Sequence, residues 1–424
     1  AEYKGKWMKW TGKRWQEFPD CVAVGDASRT LRDYYEGKMR TATTFTEAIE
    51  LDSLITKASK ITILKNIVSR IKKYPDIFTT PEQWDSDGWL LNVNNGTIDL
   101  RTGKLRPHDP KDMCTHLAPV DYDSTAVGPV WEEHIRLAIP DENIRRQLQR
   151  DLGMSLIGTC TEKILPIWFD IHSDEDKNGW DMRESIKRIV AKTITGVLGS
   201  YAGRTAPNIP GERCGPGYLL DLKGKRIIFS QDEIDNGRIF LNEAKTKKIT
   251  GKDRIRARHI RRSFFEFDKT WTIFLLYYEK PYVTRTKLHE QKVRLIPWTI
   301  TEHISQYELT NRLLEEGSAI LKWMLEGLAD WQENPSWTAK ETTVSALNYK
   351  EKKSITNFIE ECCEPYPDGT VSVKELYETY LEWCQARDYT PLTKQSFGKD
   401  LQNRFERIRQ NGKRCWKGLK LKRQ

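Results

Sequence analysis

Apolar residues recur with different periods along the chain, and the changes of period predict the secondary structure. Residues 44–74 and 129–157 carry apolar side chains at helical spacing. Between them, residues 89–122 contain Asn-Gly and Thr-Gly turn signals between short apolar runs, which predicts short strands. At the N-terminus, residues 3–18 alternate aromatic and basic side chains around a Thr-Gly pair. This alternation predicts a β-hairpin that packs on its neighbour, with stacking on nucleic-acid bases as the alternative.

From about residue 164 to residue 300, short continuous apolar runs replace the helical pattern. The runs read ILPIWFDI, RIIFS, WTIFLLYY and VRLIPW, and polar or helical segments separate them. Continuous apolar strands of this length are typical of a parallel sheet buried on both faces, so we expect an α/β core. Residues 302–332 follow as a helical pair, and residues 333–353 have the composition of a linker.

The tail, residues 354–424, has the pattern of a separate domain. A helix at 354–364, a short strand, a helix at 372–386 and a third helix capped by Thr393 precede two strands, which a basic Asn-Gly turn joins. Three helices and a basic two-stranded wing predict a winged helix, whose third helix enters a DNA major groove while the wing contacts the backbone. Docking of a protein is the alternative use of such a domain. The candidate DNA-binding residues here are Lys394, Lys399, Arg404, Lys413, Arg414 and Lys417.

Positive charge is concentrated in two places. The 424 residues carry a net charge of +9 and are 38% hydrophobic, which suits two to four domains with cores of their own. Residues 245–262 hold nine Lys and Arg against one Asp, and residues 393–424 hold eleven against two acids. The net charge of each cluster, +8 and +9, nearly matches or equals the net charge of the whole chain. This favours two phosphate-facing surfaces over a uniformly basic surface.

The remaining composition narrows the class of protein. Eight cysteines occur without a spacing that suits zinc, and no apolar run approaches the length of a membrane span. This usage of cysteine, without a secretory signal, predicts a cytoplasmic protein. The chain begins AEYKGKW without an initiator methionine, so we expect it to be part of a longer protein.

An acidic pair and a basic segment follow the second apolar run of the core. Ile227–Phe229 predicts a strand, and Asp232 and Glu233 come just after it, where carboxylates can bind Mg²⁺ and polarise a water. A Thr-Gly-Lys-Asp turn then leads into a predicted hairpin whose basic residues mostly alternate, so that several share one face. A solvated charged edge is the alternative to DNA contact. The candidate DNA-binding residues here are Lys252, Arg254, Arg256, Arg258, Arg261 and Arg262.

In this order, the segments LQRDLGMSLIGT, LGSYAGR, LKGKRIIFSQDE, KKITGKDRIRAR and VRLIPW resemble the helicase-like half of phage, plasmid and poxvirus replication primases, the superfamily 3 AAA+ type. The resemblance covers most of the chain, and KKITGKDRIRAR is its most specific segment. It implies an AAA+-like core, a C-terminal winged helix, assembly into a hexamer and an N-terminal primase-polymerase domain in the full-length protein. It also implies ATP and Mg²⁺ as cofactors if the site still binds nucleotide.

The nucleotide site departs from that family at three of four places. The phosphate loop G-x-x-x-x-G-K-[ST] is missing from the sequence, and the segment in its place, HSDEDKNGWDMRES, contains acids that repel a triphosphate. The resemblance puts the loop lysine at Lys187, or at Trp180 under a second alignment. It puts the polar sensor at Tyr277–Glu279 and the paired arginines at Gln291 and Lys292. Lys187 and Lys292 are thus the candidate nucleotide contacts, and only the acidic pair matches the family.

We therefore expect a mixed α/β protein with a mainly helical N-terminal region over 1–155, a degenerate AAA+-like core over 156–335 and a winged helix over 354–424. The function that fits is a ring-forming, DNA-binding module of a phage-type primase-polymerase acting in DNA replication, with its own ATPase activity weak or lost. An active ATP-dependent helicase with a diverged phosphate loop is the first alternative. A non-catalytic protein-interaction adaptor is the second.

Overall fold

The computed structural model describes residues 2–3, 6–74, 77–159, 162–171, 186–205, 221–230, 240–241, 243–251, 254–257, 265–277, 280–283, 286–299, 306–343, 355, 357–387, 391–402, 404–410 and 412–422. Its helices are α1 (Asp20–Met39), α2 (Phe45–Ala58), α3 (Ile61–Ile71), α4 (Pro129–Ala138), α5 (Glu142–Met154), α6 (Ile186–Leu198), α7 (Glu243–Thr250), α8 (Lys287–Lys292), α9 (Gln306–Glu315), α10 (Gly317–Glu333), α11 (Val373–Ala386) and α12 (Lys394–Gln402). Its strands are β1 (Glu2–Tyr3), β2 (Lys6–Trp10), β3 (Trp15–Phe18), β4 (Leu90–Val93), β5 (Gly96–Asp99), β6 (Lys104–Arg106), β7 (Leu165–Ile171), β8 (Ala202–Thr205), β9 (Ile227–Ser230), β10 (Phe240–Leu241), β11 (Ile255–Ala257), β12 (Phe265–Phe267), β13 (Thr272–Tyr277), β14 (Tyr282–Val283), β15 (Val293–Thr299), β16 (Cys363–Ser372), β17 (Glu406–Gln410) and β18 (Lys413–Leu421).

The N-terminal third combines three helices with two small antiparallel sheets, β1–β3 and β4–β6, at the predicted turns. Trp15 fastens the first sheet to the rest of the protein. Its indole donates to the carbonyl of Pro110 at 2.8 Å, and its backbone amide donates to the carbonyl of Cys114. The aromatic hairpin is therefore packed on its neighbour, as predicted.

Five parallel strands form the central sheet, in the order β15-β7-β13-β9-β8. This confirms the predicted mixed α/β core. Side chains alternate between the faces of each strand. Trp168 and Phe274 enter a core shared with α4, α5, α6, α9 and α10, while Ile167 and Leu275 enter a second core on the opposite face. Burial on both faces is why these strands read as continuous apolar runs.

The first of these cores extends across residue 155, the predicted end of the N-terminal region. Leu91 of β4, Trp131 of α4 and Leu148 of α5 belong to the same buried cluster as Trp168 of β7. The strands β4–β6 and the central sheet therefore share one hydrophobic interior. The domain boundary at 155 stays a prediction, and the buried packing continues across it.

The order of the strands defines where a ligand site is expected. The chain leaves β7 for β8 on one side of the sheet and leaves β13 for β15 on the other side. In an open parallel sheet, a crevice forms at the carboxyl ends of adjacent strands whose connections diverge in this way. The carboxyl ends of β7 and β13 meet that condition.

Residues 334–343, the first half of the predicted linker, are packed against the core. The guanidinium of Arg150 donates to the carbonyl of Asn334 at 2.6 Å. The side-chain oxygen of Gln147 accepts from the amide of Ala339 at 2.9 Å. Both contacts satisfy backbone groups, so this half of the segment extends the core. The rest of the predicted linker lies outside the described residues.

The tail has its own core and a three-stranded antiparallel sheet in the order β16-β18-β17. Phe358, Tyr380, Phe397 and Trp416 fill that core, and the rings of Tyr380 and Phe397 stack at 4.5 Å. Its elements follow the predicted order, except that β16 begins at Cys363 and is longer than the strand that the pattern predicted.

A buried carboxyl of α5 lies beside the packed segment without a full set of partners. Asp151 Oδ1 accepts from Gln147 Nε2 at 2.7 Å, while Oδ2 has no hydrogen-bond partner in the described part of the chain. Burial raises the pKa of Asp151 from 3.8 to about 7, against the opposing charge of Arg294.

Asp151→Asn is predicted to stabilise the protein more and more as the pH rises from about 4 to about 7. Across that window the unfolded chain releases the proton of Asp151 while the folded chain keeps it. The wild type therefore loses free energy of unfolding, by about 4 kcal/mol at most, and the variant escapes this loss. Urea unfolding of both proteins across the window measures the difference, with Asp52→Asn on exposed α2 as the control for losing a carboxylate. A difference that stays constant with pH would contradict the assignment.

Candidate functional site

The carboxyl end of β7 brings together a lysine and an aspartate. Asp170, the next-to-last residue of β7, lies on the same face of the sheet as Trp168, towards α6. Lys187 is the second residue of α6. Its ammonium donates to Asp170 Oδ2, and the two side chains are 0% and 2% exposed. Two opposite charges therefore pair inside the protein, at the crevice where a ligand site is expected.

Helix α6 buries Lys187 because most of the helix faces the interior. Ile186, Ile189 and Val190 around it are all buried. An ammonium buried without a partner costs several kcal/mol, so the carboxylate of Asp170 is what makes this burial tolerable. An arriving phosphate would compete with that carboxylate for the same ammonium. At 4 Å each like-charge pair costs roughly 1–4 kcal/mol, so the arrangement opposes phosphate binding.

The acidic pair Asp232 and Glu233 lies outside the described residues. The strand before it, β9, ends at Ser230, whose hydroxyl accepts from the amide of Leu276 at 3.1 Å. This contact joins β9 to β13 beyond their backbone ladder, which ends at Phe274 and Phe229. The chain therefore leaves β9 beside the crevice, as a strand that leads to catalytic carboxylates would.

Lys292, the second candidate nucleotide contact, is engaged within its own chain. Its ammonium donates to Thr250 Oγ1 at the end of α7, at 3.4 Å. Beside it, His289 Nε2 of the same helix, α8, lies 3.0 Å from Thr246 Oγ1, and both of these side chains are fully buried. Lys292 thus serves the packing of α8 on α7.

A third contact joins the other ends of the same two helices. A hydrogen bond with Thr286, the residue that caps α8, lowers the pKa of Glu243 at the start of α7. Three polar contacts at intervals of three or four residues mean that the two helices run parallel along one face. The helix before the basic hairpin is therefore held against the helix before β15.

Strands β11 and β12 pair antiparallel, which is consistent with a hairpin in this segment, and the residues that join them lie outside the described part of the chain. Arg254 at its foot is exposed, and its guanidinium lies 3.3 Å from Asp268 and 3.9 Å from Glu266. Such exposed ion pairs stabilise little, but they place the charge of Arg254 at the root of the hairpin. For Arg256 only the backbone is described, and outside the described residues lie Lys252, Arg258, Arg261 and Arg262.

The candidate residues of the tail are exposed on α12 and on the β17–β18 hairpin. Lys394 and Lys399 lie on the surface of α12, and Lys417 is exposed on β18. Arg404, just after α12, pairs with Asp400 at 3.3 Å. The side chain of Lys413 is not among those described.

Two further arginines of this hairpin, Arg407 and Arg409, were not among the DNA-binding residues predicted from the sequence. Arg409 lies directly opposite Arg414, and neither forms an ion pair with any residue that the structure describes. The guanidinium of Arg407 lies 5.8 Å from the ring centre of Trp416, its partner across the hairpin. Positions at equal distance from a two-residue turn face each other, so counting outward from the Asn-Gly turn would have found both pairs.

In the part of the chain that the structure describes, no group of three or more His, Cys, Asp and Glu side chains is arranged to hold a metal ion. No described helix combines the length and the apolar character that crossing a membrane requires.

Both ends of the chain match models of one family. Residues 1–139 match "D5 N terminal like" and residues 350–422 match "Poxvirus D5 protein-like". The "Putative helicase L207/L206" of Acanthamoeba polyphaga mimivirus is 23% identical over 453 residues, which cover 94% of this chain. The chain is therefore similar to D5-type proteins at both ends and to a putative helicase along most of its length. It spans about half the length of that relative, 45%.

Two solved structures resemble this D5-like region loosely. The apo C-terminal region of NrS-1 is 10% identical, with a TM-score of 0.35 over 71% of this chain and 77% of the other. JCV helicase bound to a small molecule is 13% identical, with a TM-score of 0.30 over 55% and 63%. At these values the superpositions say nothing about activity. The central sheet of the D5-like region lies between the two stretches that match the family.

Breaking the Lys187–Asp170 pair is predicted to destabilise the D5-like region more than removing both charges. Asp170→Asn leaves the ammonium buried without its counter-charge, and Lys187→Met leaves the carboxylate. Each single variant should therefore lose about 3–5 kcal/mol of free energy of unfolding. The double variant holds no uncompensated charge, so its loss should fall well below the sum of the two.

Urea unfolding of the four proteins gives the coupling free energy between the two residues. Losses that simply add would show that Lys187 and Asp170 do not act as a unit.

Proposed function

We propose that this D5-like region holds DNA for a replication primase-polymerase and that its own ATP turnover is weak or lost. The weak or lost ATP turnover is inferred from the buried pairing of Lys187 with Asp170. The lysine at the expected phosphate-binding position is neutralised by a carboxylate of its own chain. The missing Gly-Lys-Ser/Thr signature and the acids before α6 support it. The similarity of both ends to D5 models, and of most of the chain to a putative helicase, supports the role in replication.

The DNA-holding surfaces of this proposal are the basic hairpin and the tail. The hairpin contacts the backbone of one DNA strand independently of sequence. Its basic side chains donate hydrogen bonds to phosphates, and it has no element that reads the bases. The tail, residues 354–424, acts as a winged helix, in which α12 enters a groove and the β17–β18 hairpin touches the backbone. The hairpin of 252–262 supplies six basic residues and the tail supplies Lys394, Lys399, Arg404, Lys413, Arg414 and Lys417.

In the full-length protein, six copies form a ring, and the hairpins line its channel. Residues 1–155, 156–335 and 354–424 are the three parts of each copy, joined to a primase-polymerase domain at the N-terminal side. Holding the template in the ring raises its local concentration at that polymerase domain, as tethering does generally.

Mg-ATP binding and phosphate release, with and without single-stranded DNA, test the proposal directly. We expect no saturable binding of Mg-ATP, and no turnover above that of an Asp232→Ala/Glu233→Ala variant, because Asp170 holds Lys187 and the acids before α6 repel the phosphates. DNA-stimulated turnover that this variant abolishes would overturn the proposal and establish a helicase.

One observation favours that helicase as the second candidate. Lys187 lies at the start of the helix that follows the first strand of the sheet, where a phosphate-loop lysine belongs. A nucleotide that displaced Asp170 would find the ammonium in place. The binding measurement separates the two functions, because displacement requires saturable binding.

Arg409→Thr is predicted to stabilise the protein and weaken its DNA binding at the same time. The change removes repulsion between two arginines directly opposite each other, worth about 0.2–1 kcal/mol, and threonine suits a strand. Loss of one phosphate contact should lower the slope of log K against log salt concentration by about 0.7–0.9.

Thermal unfolding and a salt titration of DNA binding by fluorescence anisotropy measure the two effects. Lys374→Thr on exposed α11 removes the same charge away from the hairpin and should leave the slope unchanged. A stabilised Arg409→Thr variant with the wild-type slope would mean that Arg409 does not contact DNA.

A further inference from the structure

Between Ile61 at its start and Tyr74 beyond its end, which are 64% and 60% exposed, the exposed face of α3 is made of side chains that can donate hydrogen bonds to phosphate. Between residues 62 and 73, the exposed residues are Thr62, Lys65, Asn66, Ser69, Arg70 and Lys73. All six belong to the residue types that contact nucleic-acid backbones, and none is acidic. The opposite face buries Leu64 and Val68, which hold α3 against the rest of the protein.

The charge of this segment stands apart from that of its neighbours. Residues 57–73 hold six Lys and Arg and no acid, whereas α1 holds three bases and four acids. Lys72 pairs with Asp20 at 2.9 Å. The other five bases form no ion pair with any described residue, and they are Lys57, Lys60, Lys65, Arg70 and Lys73. Like charges on one side of a helix repel, so the free protein carries an electrostatic cost that an anionic partner removes.

The dimensions and the chemistry of the face select the class of partner. Thr62 and Arg70 are eight residues apart, about 12 Å along a helix, which spans roughly three phosphates of a duplex strand. No residue exposed between 62 and 73 is apolar. A protein partner needs a hydrophobic anchor near the centre of its interface, whereas the centre of this face offers only the charge and hydrogen-bond donors that a nucleic-acid backbone needs.

We propose that this face of α3 is a further DNA-binding surface that contacts the strand backbone independently of sequence. The inference rests on the proposed function, because it extends the path of the DNA held by the basic hairpin and the tail. It also assigns the N-terminal region a part in holding DNA that is separate from those two clusters.

The test is the salt dependence of binding to oligothymidylate by Lys65→Gln/Arg70→Gln/Lys73→Gln in the full chain. Loss of three phosphate contacts should lower the slope of log K against log salt concentration by about 2. Glutamine keeps the helix propensity of these exposed positions, so the variant should fold, which circular dichroism verifies. The matched control is Arg32→Gln/Lys38→Gln/Arg40→Gln in and beside α1, which changes the net charge equally and should leave the slope near the wild-type value.

A second variant separates direct contact from a general electrostatic effect. Asn66→Ala/Ser69→Ala keeps every charge, so it should weaken binding several-fold without changing the slope. Equal slopes for the wild type and the α3 triple variant, or equal losses in the α1 control, would overturn this inference alone. A wild-type chain that shows no salt-dependent DNA binding would overturn the proposed function with it.

Discussion

A parallel sheet buried on both faces forces each polar group at its ends to find a partner inside the protein. At the start of β9, Arg226 is 5% exposed, its guanidinium donates to the carbonyls of Leu90 and Leu156, and it lies 4.3 Å from the ring centre of Tyr201. At the opposite end of the sheet, Lys187 meets the same requirement with a carboxylate. Arg226 is held by backbone carbonyls, so its contacts are a fixed part of the fold. Lys187 instead uses the carboxylate of Asp170 at the crevice.

The same constraint explains how much of the fold the sequence predicted. Strands in the middle of the sheet are apolar on both faces, so β7, β9, β13 and β15 stood out as continuous runs. Strand β8 has the sequence AGRT and lies at the edge of the sheet. Four residues with a glycine and an exposed arginine make no such run, so periodicity could not find it. Helices were predicted best where one face is buried, as in α5 and α11.

The site was less predictable, because its key contacts join residues far apart in the chain. Resemblance to a family located Lys187, but its partner Asp170 lies 17 residues earlier, and only the direction of α6 brings them together. The packed segment 334–343 was read as a linker for a related reason. Arg150 and Gln147 form hydrogen bonds with its backbone groups. Such bonds do not depend on the residue types of the segment, so its composition could not reveal them. Some pairings were within reach, since the register of a hairpin follows from its turn.

Basic residues fall into two groups that differ in what neutralises them. Lys187 at the crevice and Lys292 at the opposite end of the sheet have partners within the chain, so their donors are already in use. No ion pair with a described residue is formed by Arg70 of α3 or by Arg409 and Arg414 near the turn of the β17–β18 hairpin. A protein keeps unpaired like charges together at a cost in stability, which is worthwhile where a ligand removes the repulsion. Under the proposed function, the ligand that removes this repulsion is DNA.

The root of the basic hairpin is fastened to the central sheet, as the proposed grip on DNA requires. Contacts of Thr246 and Thr250 with α8 hold α7, and with it the start of the hairpin, against the helix that leads into β15. Strand β15 then pairs along all seven of its residues with β7, the strand that carries Asp170. The hairpin is thus tied to the sheet by contacts that the protein makes on its own. A motor must move its DNA contacts as nucleotide binds and leaves, whereas a grip needs them fixed. Contacts supplied entirely within the chain meet the requirement of a grip.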